Sequence, residues 1–554
     1  MEWTNIILHS KYKNLIIIML LAILISSCSL IQMNETDILL STELKAVPSL
    51  TPFQPLVYKV YWSPAVPEEW IQQNADFQTT QNPGEAALSL SITKVNTEEK
   101  VYGAINRIFA IGVPFPTIAD EISLSTINAI WEGNALADSE YSRLFITEST
   151  KRTFVELWGD PNKNSIYVVS KEELVTEVWK FKDALALIPF EDIEPKLKIL
   201  RVDGISPLDR PMDIKNYMLS VTYSLTSKET IDTVVHNYIN QILSTIPVTN
   251  RDESKMTVIV MTGTTAITRV TTRKIENYGY DYPVALVKDW FLSADLRHVS
   301  NEVSFGENCP DLSPVTMRFC SKVDQIKVLE NLGVNIVEST GNHLNDYGTE
   351  NFAKTLEMYR ERGWLVFGGG VNQAVAQAPI RVEKHGNKIA FIGCNPVGFT
   401  SAWATADAPG AAECNLEYYN QQISQLKSEG YIVIATFQFQ EIDAYMYDEF
   451  YRTDFKIAAQ SGADIVQGSQ AHIPMGFDFV GNSLIHYGLG NFIFDQMEPE
   501  NIREFIDRHI IYDGKYINTE LLTAKLVDWS RPTPMTEGER NELLNDIFKA
   551  SKLR

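Results

Sequence analysis

The segment Gly341-Asn342-His343-Leu344-Asn345-Asp346-Tyr347-Gly348 constrains the fold more than any other stretch of this chain. An apolar run, Val334-Asn335-Ile336-Val337, precedes it and reads as a buried strand. An amphipathic stretch over 349–362 follows and reads as a helix. An Asn-His pair therefore sits where a strand hands over to a helix. In α/β sheets, ligands bind outside the carboxyl ends of the strands. Amide oxygen and imidazole nitrogen are also donor types that hold a divalent metal or a phosphate-like anion.

The surrounding sequence repeats the pattern. Thr257-Val258-Ile259-Val260-Met261 predicts a strand, and 323–332 a helix ended by Gly333. Ile380-Arg381-Val382-Glu383 and Lys388-Ile389-Ala390-Phe391-Ile392 predict a hairpin turning at His385-Gly386-Asn387. A helix over 416–428, a strand at Tyr431-Ile432-Val433-Ile434-Ala435, a helix over 450–461 and a strand at Asp464-Ile465-Val466 follow. Strands alternating with helices imply stacked α/β layers. Polar residues or glycines follow five of these strands: Gly263-Thr264, Asn301-Glu302, Asn342-His343, Gln438-Phe439-Gln440-Glu441 and Gly468-Ser469-Gln470-Ala471-His472. All five belong on one rim.

Two further segments complete a resemblance. They are Gly462-Ala463-Asp464-Ile465-Val466-Gln467 leading into the Gly468 stretch, and Tyr487-Gly488-Leu489-Gly490-Asn491-Phe492-Ile493-Phe494-Asp495-Gln496. Together with the Asn-His loop they resemble the CapA domain of poly-γ-glutamate and capsule synthesis proteins, a relative of the calcineurin-like metallophosphoesterases. The resemblance implies a layered α/β/β/α domain with a metal-binding rim. Carried over by position, the family's first Asp falls at Thr264, its Glu is kept at Glu302, and its Asn-His is kept at Asn342 and His343. Its next His falls at Gln438, with Glu441 retained, and its His-x-His falls at Gln470 and His472. The implied metal ligands are Glu302, Asn342, His343 and His472. His343 is also the implied catalytic proton donor. Thr264, Gln438, Glu441 and Gln470 remain as rim or binding positions. Gln and Thr oxygens are weak ligands for transition metals, so the set implies one divalent ion (Mn, Zn or Fe) or none. Structural readings stand beside these: His343 capping the next helix, His472 packed in the core, Glu302 a solvated loop carboxylate.

The first half predicts strands at Val57-Tyr58-Lys59-Val60-Tyr61 and Ala87-Leu88-Ser89-Leu90-Ser91-Ile92, and a helix over 123–132 stopped at Gly133-Asn134. Further strands fall over 184–190 and 197–202. Asp120-Glu121-Ile122-Ser123-Leu124 running to Ile130-Trp131-Glu132-Gly133, and Ala186-Leu187-Ile188-Pro189-Phe190 followed by Leu200-Arg201-Val202-Asp203-Gly204, resemble the phosphate-type solute-binding proteins of ABC transporters. That implies a mixed α/β solute-binding-like domain. No Gly/Ser-rich loop with a basic partner is present to cradle a phosphate.

Lys11 and Lys13 precede an apolar run over 15–25, short for a membrane span and suited to a signal peptide. Ile25-Ser26-Ser27-Cys28 resembles a bacterial lipobox, which implies lipidation of Cys28; an uncleaved membrane anchor is the alternative. Both place the chain outside the cytoplasm, on the membrane. Four cysteines remain, an even number in an oxidising compartment. Short separations favour pairing Cys309 with Cys320 and Cys394 with Cys414, against four buried thiols. The net charge of -22 argues against nucleic acid as a partner.

The expected organisation is a signal peptide at 1–28, a tether at 29–50, the solute-binding-like domain at 51–246, a linker at 247–256, the CapA-like domain at 257–530 and a tail at 531–554. The expected function is that of a surface lipoprotein in synthesis, export or anchoring of an extracellular anionic polymer, working with its synthesis machinery. The alternatives are a non-catalytic polymer- or solute-binding protein and a one-metal hydrolase.

Overall fold

Two sheets of the C-terminal part pack face to face. The first runs Leu365–Phe367, Ile336–Glu338, Leu296–Asn301, Met256–Thr262, Arg503–Tyr512, Lys515–Val527 and Arg531–Pro534, with two short strands alongside. The second runs Ile380–Lys384, Asn387–Cys394, Ile432–Phe437, Ile465–Gly468, Ser483–His486 and Phe477–Val480. Met256–Thr262 and Ile432–Phe437 are buried along their whole length. Continuous apolar runs of this kind suit central strands covered on both faces. Ile259, Met261, Ile336, Phe391, Ile434, Ile465 and Leu484 fill the space between the sheets. Helices Arg269–Tyr278 and Ile326–Leu332 cover the outside of the first sheet, through Ile275, Val328 and Leu329. Helices Leu416–Ser428 and Glu449–Gln460 cover the second, through Tyr419, Ile423, Phe455 and Ala458. The layering is α/β/β/α, as expected.

The computed structural model describes residues 58–93, 100–134, 139–227 and 232–553. Cys28 and its lipobox lie outside the described residues. Val57–Arg554 form one compact unit.

Local signals place many elements. Ser123 caps Leu124–Glu132 by accepting from Thr126 N, and Gly133 ends that helix at φ 77°. Gly333 ends Ile326–Leu332 in the same way at φ 75°. Glycine, lacking a Cβ, takes a positive φ without steric cost. The predicted hairpin forms with Lys384 paired to Asn387, and His385 and Gly386 both adopt positive φ.

The first half is a mixed sheet whose long strand Lys100–Pro114 pairs with Ser220–Ser227, Ala184–Pro189 and Leu197–Val202. Two segments behave differently from their sequence reading. The stretch over 247–256 is pinned: Arg251 is 2% exposed and donates to Pro207 O, Asp209 O and Glu253. The stretch after residue 530, expected as a tail, forms Arg531–Pro534 and the helix Glu537–Ser551. A capping box between Thr536 and Glu539 starts that helix. Leu543, Leu544 and Ile547 on its inner face are fully buried. Short apolar spacing among many charges hid it.

One band of the inter-sheet core is polar. His486 Nδ1 lies 2.6 Å from Asp507 Oδ2, and His298 Nε2 lies 3.3 Å from Glu338. His509 Nδ1 lies 2.7 Å from Thr519 Oγ1. All three histidines are fully buried. Burial pushes the His509 pKa down to about 4; Asp507 opposes this, while His486 and His298 add to it. The unfolded chain takes up this proton at about pH 6.5, whereas the folded chain refuses it until about pH 4. Stability should therefore fall as pH drops through that window, by about 3 kcal/mol from this group. His509→Gln should lose that part of the slope. Denaturant midpoints at the two ends of the window test this; parallel slopes for both proteins would exclude the assignment.

Candidate functional site

Parallel register brings the strand ends to one edge. His298 pairs with Ile336, and Ile434 with Ile465. Two or more residues further on, Glu302, Asn342, Gln438 and Gln470 meet. The Gly341 backbone crosses that of Glu302 so closely that a Cβ would lie 2.4 Å from Glu302 Cα. Only glycine permits this approach, which ties the Gly-Asn-His loop to the Glu302 strand end.

Gln438 is the hub. Its Nε2 donates toward Asn342 Oδ1 at 3.3 Å, Glu302 Oε2 at 3.5 Å and Gln470 Oε1. The Ser469 hydroxyl is shared between Gln438 Oε1 at 3.0 Å and Glu338 Oε1 at 2.9 Å. Glu302 is 1% exposed, and its Oε1 has no hydrogen-bond partner among the described residues.

The two histidines flank this cluster. His343 Nδ1 donates to Asp346 Oδ2 at 2.7 Å, and Asp346 also accepts from Phe319 N at 2.7 Å. Burial pulls the His343 pKa down. The Asp346 hydrogen bond and the charges of Glu302 and Asp346 outweigh it, so the ring is held above the usual imidazole value; Arg269 opposes them. His472 Nδ1 lies 2.7 Å from Asn491 Oδ1. Asn491 Nδ2 donates to Asn501 O at 3.2 Å, which fixes the amide and makes His472 Nδ1 the donor. In both histidines Nε2 remains for a ligand. Glu441 is exposed, 3.8 Å from His472 Nε2.

Thr264 is not available to the rim. It is 1% exposed, and its hydroxyl donates to Ser469 O at 2.6 Å. It straps two strand ends together.

Both disulfides form, Cys309–Cys320 and Cys394–Cys414. Cys320 follows Phe319, whose ring lies 4.2 Å from that of His343. Cys394 O accepts from Gln438 N at 3.0 Å. Each bridge therefore braces one side of the rim.

A supporting pair escaped the sequence reading. Arg269 and Asp495 are joined by Nε to Oδ1 at 2.9 Å, under the rim. The guanidinium lies between Phe319 and Phe494, at 4.8 and 5.1 Å from their centroids. Phe494 in turn lies 5.3 Å from His472. Arg269 adopts φ 47°, a feature with no sequence signal.

These residues do not fit a two-ion centre. Among the described residues no group of three or more His, Cys, Asp and Glu side chains is gathered to hold a metal ion. Gln438 Nε2 meets a single carboxylate, that of Glu302, and its amide N–H groups occupy the middle of the cluster.

Residues 258–496 match the family described as "Bacterial capsule synthesis protein PGA_cap". The chain carries a CapA-type capsule synthesis domain. Among curated relatives, "Capsule biosynthesis protein CapA" of Bacillus anthracis is 24% identical over 314 residues, covering 55% of this chain and 75% of that protein. "PGA biosynthesis protein CapA" of Bacillus subtilis (strain 168) is 29% identical over 175 residues, covering 31% of this chain and 46% of that protein. The chain thus spans three quarters of one relative and under half of the other. Among solved structures, an ABC-type phosphate transport receptor from Vibrio cholerae is 14% identical, covering 33% of this chain and 93% of that one, with a TM-score of 0.27. A 5'-nucleotidase precursor from Thermus thermophilus is 14% identical, covering 53% of this chain and 58% of that one, with a TM-score of 0.30. The layering of the CapA-type domain rests on its own strand order and core.

Proposed function

We propose that this protein takes part in making, exporting or anchoring an extracellular anionic polymer of the poly-γ-glutamate or capsular type, and that its CapA-type rim binds the polymer. The carrying observation is the pair of oriented imidazoles, His343 on Asp346 and His472 on Asn491, set around neutral amides. Such a rim offers carboxylates the Nε2 atoms of two oriented rings, each an N–H donor once its ring is protonated. It lacks the carboxylate ligands that a two-metal hydrolytic centre uses to activate water. The CapA-type relatives support the polymer. Two disulfides support an oxidising, extracytoplasmic compartment. No helix among the described residues is long and apolar enough to cross a membrane. Lipidation at Cys28 belongs to the same proposal, as does the division into domains at 51–246 and 257–530. A Cys28→Ser variant should leave the membrane fraction.

The test is binding of labelled poly-γ-glutamate to the full chain in detergent, read by fluorescence anisotropy. His343→Ala/His472→Ala should weaken binding by about a hundredfold or more, since each charge-assisted hydrogen bond is worth roughly 1.5–3 kcal/mol. Polymer length should stay unchanged on incubation. Undiminished binding by a folded double variant, or shortening of the polymer, removes this reading.

A further inference from the structure

We infer that the Gln438 side-chain amide occupies the place where a cation would sit, so that this rim works without a metal. The inference rests on the binding reading above and deepens it. Three oxygens from three strand ends point at one nitrogen: Asn342 Oδ1, Glu302 Oε2 and Gln470 Oε1 around Gln438 Nε2. Glu302, Gln438 and Gln470 are 1%, 1% and 6% exposed. An amide nitrogen carries two protons, too few for three acceptors. The shortfall is visible in the long Glu302 contact and in Glu302 Oε1, which has no partner among the described residues. The cluster is thus richer in inward acceptors than its donor can satisfy, as a set arranged around positive charge would be.

A divalent ion holds oxygen ligands at roughly 2.0–2.6 Å. Gln438 Nε2 already stands among those oxygens, so the ion and this amide exclude each other. Gln438 is held there from both ends. Its backbone N donates to Cys394 O, and its Oε1 accepts from Ser469. Swinging it out would break the Ser469 contact and take from Glu302 the side-chain donor it has. A buried carboxylate without a donor is far costlier than one with an amide. The amide's partial positive charge therefore substitutes for coordination, and the rim is fixed as a hydrogen-bonding surface.

The test compares metal uptake of the full chain with that of Gln438→His/Gln470→His, which replaces the central donor and one acceptor with imidazoles. After equilibration with Mn2+ or Zn2+ and desalting, elemental analysis should find no stoichiometric metal in the wild-type chain, and its thermal midpoint should not respond to Mn2+. The double variant should take up metal stoichiometrically and gain several degrees with Mn2+. Stoichiometric uptake by the wild-type chain that is lost in Glu302→Gln overturns the inference. A folded double variant that takes up no metal also overturns it. Should the double variant misfold, Gln438→Ala decides: freeing the three oxygens should make its midpoint rise with Mn2+ or Ca2+, and a folded but unresponsive protein overturns the inference. Poly-γ-glutamate binding is measured on the same metal-free samples. A chain that holds no metal and no polymer removes the polymer reading alone.

Discussion

Replacing Arg269 with methionine is expected to destabilise the protein by about 3–5 kcal/mol. Arg269 and Asp495 have side chains only 6% and 1% exposed. The guanidinium donates twice to Asp495 Oδ1 and once to Thr316 O, at 3.1 Å. Asp495 Oδ2 accepts from Val270 N at 2.8 Å. Methionine fills similar volume but leaves a buried carboxylate with one backbone donor. Coulomb attraction in such a pair roughly offsets desolvation, so the pair adds little net stability, yet breaking it exposes the full cost of one unpaired charge. Arg269 also holds φ 47°, a region costing a non-glycine residue about 1–2 kcal/mol. The ion pair and the two flanking rings hold it there. Arg269→Met/Asp495→Asn should recover much of the single variant's loss, because the stranded charge is gone, and the double-mutant cycle should give a favourable coupling for the pair. The rim should suffer too, because Phe319 and Phe494 pack on His343 and His472. Denaturant midpoints measure the loss; a shift equivalent to less than about 1 kcal/mol would place Asp495 in a wetter environment than its burial implies.

What the sequence made legible was local. The Val334-to-Gly348 segment carries an apolar run, a tight loop and an amphipathic helix in a row, and it folds as Ile336–Glu338, a loop and Thr349–Glu361. Gly133 and Gly333 announce helix ends because glycine takes the left-handed turn without steric cost. The disulfide partners lie 11 and 20 residues apart, close enough for proximity in sequence to stand for proximity in space. What stayed hidden depends on register between distant strands. Arg269 and Asp495 are separated by 226 residues, and Gln438 and Glu302 by 136. No pattern within one strand says that an amide from the second sheet will stand between oxygens from the first. Thr264 shows the converse. Its place after a strand suggested a rim residue, but the bond to Ser469 O turns it inward. The buried histidines were equally silent, since His298, His486 and His509 meet only once both sheets have formed.

Removing both disulfides should lower stability by about 3 kcal/mol for each bridge in the loop-entropy account. The enclosed loops are short, with separations of 11 and 20 residues, so the longer bridge should count slightly more. The two bridges tie different strand ends and share no partner, so their effects should add closely. Their local consequences should differ. Cys309–Cys320 carries Phe319, whose backbone N–H is bound by Asp346 and whose ring packs on His343. Its loss should loosen the His343 side of the rim first. Cys394–Cys414 carries the carbonyl that holds the Gln438 backbone. Its loss should instead let the Gln438 amide move, and a Cys394→Ser/Cys414→Ser chain should be the natural protein's nearest approach to one responsive to Mn2+. Thermal midpoints of the two double-serine variants, with thiol counts confirming the bridges of the parent, measure both claims. A parent whose midpoint is unmoved by full reduction would show that neither loop gains order from its bridge.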